Sequence, residues 1–298
     1  MKVLVADVLG MCFGVRDALN IIEGIDQPEA VTIHGELVHN EVVLEQLNTR
    51  GFRMTREADR RQLPETPQVL ITAHGVSDVE RQRLAKGGKQ LLDTTCPLVT
   101  RVHKAAQELA ADGYHVLVIG RRGHVEVQGI IEDLYSFDVI QNAEEVKRFP
   151  YPRLGIVCQT TTPARHVQTI RDAVAARNPH AEIRFVDTVC HPTKDHQRAL
   201  ERLAEQVDAM VVVGGRNSNN TRELVAFCRA RDLSAYHVQG AADLRPEWFA
   251  GYATVGLTAG TSTLDCTIAE VRRALEEMSP DNGVYSHSTC DLKSSFPF

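Results

Sequence analysis

The chain has 298 residues and a formal net charge of -6, from 33 Lys and Arg against 39 Asp and Glu. Because the basic residues form no tract, nucleic acid and anionic membranes are disfavoured as its main partners. A strand pattern follows Met1 directly and no apolar run approaches the length of a membrane span. We therefore expect a cytoplasmic protein with no signal peptide.

The seven cysteines are odd in number, dispersed and never spaced C-x-x-C. This usage is typical of a reducing compartment, and it favours thiols or metal ligands over a disulfide framework. A zinc ribbon or a thioredoxin-type redox pair is disfavoured for the same reason. Any metal site must therefore be assembled from distant segments of the chain.

Short apolar strands alternate with amphipathic helices along the whole chain, a pattern typical of parallel sheets built from right-handed βαβ units. In chain order, the predicted strands are 3–8, 31–34, 69–72, 90–93, 115–119, 139–141, 154–158, 183–186, 209–213, 235–238 and 254–257. The predicted helices are 15–25, 41–50, 78–86, 98–111, 126–134, 163–177, 193–206, 221–231 and 262–278.

Three similar thirds make up the chain, each with two polar loops at the carboxyl ends of strands. The loops are 34–40 and 72–77, 120–127 and 158–163, and 214–221 and 258–263. The first two thirds end in Asp-Thr-x-Cys, at Cys96 and Cys190, and the third has no such ending. The N-terminal strand leads to Cys12, so it can provide the missing strand and cysteine by pairing with the third sheet. We expect three α/β domains, 13–96, 97–190 and 191–279 with 1–12, followed by a tail at 280–298.

Cys12, Cys96 and Cys190 are the candidate metal ligands. Each follows a strand and precedes a helix, where a thiolate is electrostatically favoured. Three thiolates from three domains suit an iron-sulfur cluster whose fourth iron stays open to substrate, although a buried structural cysteine is the alternative at each position. Cys158 also ends a strand and is the rival for a ligand position, whereas Cys228 is predicted to pack in the core, like Cys266.

The polar loops carry neutral or weakly basic hydrogen-bond donors. Together with helix N-termini, such donors can bind an anion of diphosphate size. The donors are His39, His74, His124, Thr160, Ser218, Asn220 and Ser262. Glu126 opens a helix two residues after His124, and two interpretations stay open for it: a solvated first-turn acid, or a proton donor that Thr160 relays or orients. No Gly-x-Gly-x-x-Gly fingerprint for a dinucleotide is present.

In their order and spacing, these segments resemble the 4-hydroxy-3-methylbut-2-enyl diphosphate reductase family, which performs the last step of the non-mevalonate isoprenoid pathway. The segments that carry the resemblance are the Cys12 turn, 39–40, 73–77, 93–99, 124–127, 159–161, the Cys190 turn, 217–221 and 259–262. The resemblance implies a trefoil of three α/β domains around a 4Fe-4S cluster held by Cys12, Cys96 and Cys190. The residues it implies for the diphosphate are His39, His74, His124, Ser218, Asn219, Asn220 and Ser262. Glu126 matches the proton donor, and Thr160 the residue that contacts the substrate hydroxyl.

The implied reaction removes the hydroxyl of 4-hydroxy-3-methylbut-2-enyl diphosphate as water, with that hydroxyl at the open iron. Two electrons from a ferredoxin or flavodoxin and two protons give isopentenyl and dimethylallyl diphosphates. Several residues beside the site depart from those usual in the family, namely Met11, Val125, Asn219 and Thr263-Leu264. A divergent member of the family, with an altered substrate or low activity, is therefore an alternative.

Two further interpretations differ in class. One is another enzyme with a cluster held by three cysteines, resembling quinolinate synthase or the diphthamide radical enzymes in architecture. The other is a protein without catalysis, either an iron-sulfur sensor or a structural zinc protein that uses the three cysteines and one histidine. Iron and sulfide analysis separates the cluster from zinc.

Overall fold

Residues 1–56 and 59–278 are described by a computed structural model of the chain. Within them the strands are β1 Lys2–Val5, β2 Val31–His34, β3 Arg53–Met54, β4 Gln68–Ile71, β5 Gln90–Asp93, β6 His115–Ile119, β7 Phe137–Ile140, β8 Arg153–Cys158, β9 Glu182–Phe185, β10 Ala209–Val213, β11 Ser234–Val238 and β12 Thr254–Ala259. The helices are α1 Phe13–Glu23, α2 Glu41–Thr49, α3 Asp78–Lys86, α4 Pro97–Ala111, α5 Val125–Ile131, α6 Ala164–Arg177, α7 His191–Ala204, α8 Asn219–Arg229 and α9 Asp265–Glu277.

The strands form three parallel sheets of four strands each, in the orders β3-β2-β4-β5, β7-β6-β8-β9 and β11-β10-β12-β1. The fold class is therefore α/β with three similar sheets, as predicted. In the third sheet the N-terminal strand takes the edge position that β5 and β9 take in the other two, with Lys2 opposite Thr254 and Val5 opposite Leu257. This confirms the expectation that the N-terminal strand completes the third sheet.

The inner strands are buried beyond the first residue of β4, β8 and β12, because helices cover both faces of the sheets. Along β6, Leu117 and Ile119 pack into one apolar cluster, and the alternating residues Val116 and Val118 pack into another on the opposite face. Each such side chain contributes roughly 1.5–3 kcal/mol when it is fully buried. The continuous apolar runs of the sequence are thus the inner strands of sheets that have helices packed on both faces.

Every predicted helix and strand is present, with ends that differ by a few residues. The sequence patterns missed β3, whose two residues are too few to show a period. Helix α5 ends at Ile131, earlier than predicted. The carboxylates of Glu132 and Asp133 at that end bind the start of α3. The predicted tail at 280–298 lies outside the described residues.

Two compact units contain these sheets. One consists of Met1–Phe13, His39–Leu47 and the described residues from His191 onward, and it holds the sheet completed by β1. The other consists of Gly14–Val38 and Asn48–Cys190, and it holds the other two sheets. The three-domain boundaries, and the trefoil arrangement, stay predictions. None of the helices in the described part of the chain is long and apolar enough to span a membrane.

Candidate cluster and anion site

The three candidate cysteines occupy the same backbone position in their sheets. Each follows an edge strand and donates its N–H to the carbonyl of the loop after the neighbouring strand. These bonds join Cys96 to Ala73 at 3.1 Å, Cys190 to Thr160 at 3.0 Å and Cys12 to Thr261 at 3.0 Å. All three cysteines are partly exposed. The repeat that the sequence indicates is therefore a structural repeat at the carboxyl ends of the strands.

The Asp-Thr residues before Cys96 and Cys190 shape the two turns in the same way. Asp93 and Asp187 each accept the backbone N–H two residues further on, at 2.9 and 3.2 Å. Thr94 and Thr188 each donate their hydroxyl to a carbonyl of the neighbouring strand, at 2.6 and 2.7 Å. Burial raises the pKa of Asp93, but hydrogen bonds from Thr95 and Arg81 outweigh burial and leave that pKa below its usual value. The aspartate thus stays a charged acceptor, and the turn is held.

Gly14 leaves the space that the sulfur of Cys96 occupies. A Cβ at residue 14 would lie 2.5 Å from Cys96 Sγ and 3.1 Å from Cys96 Cβ, much closer than real Cβ contacts. Only glycine therefore admits this thiol in its present position. The sequence analysis did not single out this glycine.

The remaining described cysteines do not compete for the ligand positions. Cys158 and Cys228 are fully buried in apolar clusters. Burial raises the pKa of the Cys228 thiol to about 11, so it stays protonated. The core prediction for Cys228 is confirmed, and Cys158 is no longer a rival. Cys266 is only partly buried, which corrects the expectation that it packs in the core.

Among residues 1–56 and 59–278, no group of three or more His, Cys, Asp or Glu is arranged to hold a single metal ion. A 4Fe-4S cluster makes a different demand, because each cysteine binds a different iron and the sulfurs do not converge on one point. Thiols at strand ends, one of them in a pocket that a Cβ would fill, are suitable donors for such a group.

Glu126 is 2% exposed and is bound by one residue through both of its carboxylate oxygens. The backbone N–H of Thr160 donates to Oε1 at 2.7 Å, and the hydroxyl of Thr160 donates to Oε2 at 2.9 Å. The carbonyl of Thr160 in turn accepts the N–H of Cys190. Thr160 thereby joins the buried carboxylate directly to a cysteine turn, which rules out the solvated interpretation of Glu126.

His124 caps the helix that carries Glu126, and this contact fixes its tautomer. Its Nδ1 accepts the backbone N–H of Glu126 at 3.2 Å, so in the neutral ring the proton lies on Nε2, which can donate to a ligand. The ring of His74 meets that of His124 edge to face, with centroids 5.7 Å apart. Two of the predicted anion donors, one from each sheet of this unit, are therefore neighbours.

Two carboxylates at the end of α5 brace the loop that carries His74. Ser77 donates its hydroxyl to Glu132 at 2.7 Å and accepts the N–H of Glu80 at 3.0 Å as the cap of α3. Asp133 accepts the N–H groups at the start of α3, from Asp78 at 2.9 Å and Val79 at 3.2 Å. A carboxylate at a helix N-terminus is favoured by the helix dipole. These bonds hold the His74 loop and α5 in register.

The second set of anion donors lies in the other unit, around the start of α8. Ser218 caps α8 by accepting the N–H of Thr221 at 3.3 Å, and Asn219 is buried beside it. Asn220 Oδ1 accepts the N–H of Thr261 at 3.0 Å, while its Nδ2 is buried with no hydrogen-bond partner among the described residues. A buried amide donor without a partner costs free energy unless a ligand or water accepts from it. Asn220 Nδ2 is thus a donor available to an anion.

His39 and Ser262 meet in the same unit. The hydroxyl of Ser262 donates to the carbonyl of His39 at 3.3 Å, and Asn40 Nδ2 donates to the carbonyl of Ser262 at 2.6 Å. Asn40 Oδ1 also caps α2 by accepting two backbone N–H groups. Sequence reasoning missed this scaffold role of Asn40, although an Asn directly before a predicted helix is an N-cap signal.

Each unit therefore assembles one part of the predicted site. The unit of two sheets connects Cys96, Cys190, His74, His124, Glu126 and Thr160 through the contacts above. The other unit brings Ser262 beside His39, and ties Asn220 and Cys12 to Thr261. Which of these residues bind cluster or substrate stays a prediction.

Fold and geometry together define an α/β protein with cysteine turns at the carboxyl ends of its parallel sheets, a buried carboxylate tied to one turn, and loops rich in neutral donors. The family model described as LytB protein matches residues 3–276, and the chain belongs to that family.

Similar proteins carry consistent names. The 4-hydroxy-3-methylbut-2-enyl diphosphate reductase of Anaeromyxobacter sp. (strain Fw109-5) is 34% identical over 276 residues, covering 91% of this chain and 95% of the relative. The protein of that name from Methylibium petroleiphilum is 35% identical over 282 residues, covering 93% and 85%. A solved (E)-4-hydroxy-3-methyl-but-2-enyl diphosphate reductase is 30% identical with a TM-score of 0.64, covering 93% of this chain and 100% of its own. The Plasmodium falciparum E-1-hydroxy-2-methyl-but-2-enyl-4-diphosphate reductase has a TM-score of 0.85 at 24% identity, covering 94% and 89%, a likeness of fold.

Proposed function

We propose that this protein reduces 4-hydroxy-3-methylbut-2-enyl diphosphate to isopentenyl and dimethylallyl diphosphates. The observation that carries the proposal is the buried pair of Glu126 and Thr160, whose backbone also binds the Cys190 turn. This pair sets a proton donor beside a candidate cluster ligand. The names of the relatives supply the substrate.

Cys12, Cys96 and Cys190 would hold a 4Fe-4S cluster with one iron open. The proposal is supported by the repeated backbone position of the three cysteines and by the space that Gly14 leaves for the sulfur of Cys96. When bound, the cluster supplies single electrons and a Lewis-acidic iron. A ferredoxin or flavodoxin would deliver the electrons from outside.

Glu126 and Thr160 would protonate the hydroxyl that leaves. With Thr160 Oγ1 at 2.9 Å from Glu126 Oε2, a proton can pass from the carboxylic acid to the threonine oxygen as that hydroxyl gives its own proton to the substrate oxygen. The departing group then leaves as water, a much better leaving group than hydroxide. The burial of the pair keeps solvent from competing for that proton.

Neutral donors would hold the diphosphate. His124 offers Nε2–H because its Nδ1 is engaged, and His74 lies beside it. Asn220 Nδ2 is buried and available, and Ser218 and Ser262 lie in the same unit as Asn220, with His39 and Asn219 completing the set. Charge-neutral donors and helix N-termini suffice for phosphate groups without a Lys-bearing loop.

Glu126→Gln is the test of this proposal. Glutamine keeps the shape and one acceptor for Thr160 but carries no acidic proton, so turnover should fall by about 100-fold or more while iron and sulfide contents are unchanged. Glu205→Gln, the same change at an exposed glutamate outside the site, is a control that should keep full turnover. Full turnover in Glu126→Gln would show that Glu126 is not the proton donor and would contradict the proposed mechanism.

A further inference from the structure

A surface groove of about 540 Å³ runs between the turns of Cys96 and Cys190. Thr95 and Pro97, the two residues that flank Cys96, line one end of it, and Val186 from the Cys190 turn lines the other side. Six residues of α4, between Pro97 and Glu108, line the rest of it. The groove is thus the part of the surface that lies against both cysteine turns of this unit.

Two cations project along this groove. Arg101 and Lys104 line it, both are exposed, and neither forms an ion pair within residues 1–56 and 59–278. Arg101 is positioned by a hydrogen bond of 3.2 Å from its guanidinium to the carbonyl of Asp187, so one cation bridges the two turns. Glu108 at the far end is the carboxylate that lines the groove. In a chain of net charge -6, the lining of this groove carries two cations against one carboxylate and is therefore locally positive.

We propose that this groove is the docking surface for a small acidic ferredoxin that reduces the protein. The inference rests on the proposed function, in which a reductase of this kind consumes two electrons that a ferredoxin or flavodoxin delivers from outside. Electron transfer falls steeply with distance, so the carrier must dock against the cysteine turns. Exposed cations there match an acidic partner and steer its approach.

The electron balance requires two docking events for each turnover. Two reduced ferredoxins each give one electron and leave oxidised. The C–O bond of the substrate breaks, its hydroxyl leaves as water with one proton, and the second proton goes to an allylic carbon. A weak, fast and salt-sensitive complex is the kind that such repeated exchange needs.

The test is the double charge reversal Arg101→Glu/Lys104→Glu in the cluster-loaded protein. The matched control is Lys86→Glu/Arg148→Glu, which changes the net charge equally at two exposed cations that do not line the groove. Binding of a [2Fe-2S] ferredoxin is titrated for each protein, and turnover is measured with reduced ferredoxin and separately with dithionite.

We expect the groove variant to bind ferredoxin at least about tenfold more weakly and to lose the salt dependence of ferredoxin-driven turnover. Its turnover with dithionite and its iron content should match those of the control variant. Unchanged ferredoxin affinity, or an equal loss in the control variant, would overturn the proposal. Absence of turnover with dithionite in the unmodified protein would instead contradict the proposed function, while the titration would still report on docking.

Discussion

Gly14→Ala should empty the cluster site while leaving the fold intact. The added Cβ would stand 2.5 Å from Cys96 Sγ, about 1 Å closer than ordinary contact. Either the sulfur rotates to another rotamer, which moves it by about 3 Å, or the backbone opens at a cost of about 1–3 kcal/mol. Both responses displace Cys96 as a ligand. Alanine also favours the helix that starts here by roughly 0.5–1 kcal/mol, so the folded state should survive.

The assay is iron and sulfide content after anaerobic reconstitution, read beside thermal unfolding of the protein without cluster. Gly24→Ala is the matched control, since a Cβ there would lie at an ordinary 3.7 Å from the Ile21 carbonyl oxygen. We expect cluster loss in Gly14→Ala alone, with little change in its unfolding temperature. A full complement of iron in Gly14→Ala would refute the assignment of Cys96 as a ligand in its present position.

Three further predictions follow from other contacts. Asp133→Asn keeps one acceptor at the start of α3 but removes the negative charge that the N–H groups of Asp78 and Val79 bind. The free energy of unfolding, measured by urea titration, should fall by about 1–2 kcal/mol. An unchanged urea midpoint would show that Asp133 does not stabilise the start of α3. Asn40→Asp keeps the cap of α2 but places a carboxylate against the Ser262 carbonyl, so the KM for substrate should rise. An unaltered KM would indicate that the loop of Ser262 does not bind the substrate. Burial, and then the nearby Arg60, lower the pKa of His34 to about 4, so the unfolded chain binds its proton first as acid is added. The contribution of neutral His34 to the free energy of unfolding is complete above pH 6.5 and falls by about 3 kcal/mol as the pH is lowered towards 4. In denaturant titrations at a series of pH values, His34→Leu should therefore lose less stability on acidification than the unmodified protein.

Much of the fold was readable from the sequence because its signals are local. The runs that lead to Cys96 and Cys190 show a strand, an Asp-Thr turn and a helix start in a dozen residues each, and the structure realises each feature by short-range bonds. The pairing of β1 with β12 could be inferred because the third repeat lacked its own ending. The strands, turns and helix starts need no knowledge of distant contacts, whereas the pairing of β1 with β12 is distant and was inferred from the repeat alone.

The features that the sequence did not indicate depend on distant contacts. Gly14 and Cys96 are 82 positions apart in the chain, and no sequence feature near Gly14 predicts that the Cys96 sulfur packs against it. The bonds of Glu132 and Asp133 to the start of α3 span more than 50 positions.

The most direct test of the central claim is anaerobic purification followed by iron and sulfide analysis and turnover of 4-hydroxy-3-methylbut-2-enyl diphosphate with dithionite. We expect a brown protein with about four irons and four sulfides per chain, which consumes this substrate and forms isopentenyl and dimethylallyl diphosphates. A brown protein that leaves the substrate unchanged would contradict the proposed reaction while keeping the cluster. A colourless protein loaded with zinc would contradict the assignment of Cys12, Cys96 and Cys190 as cluster ligands.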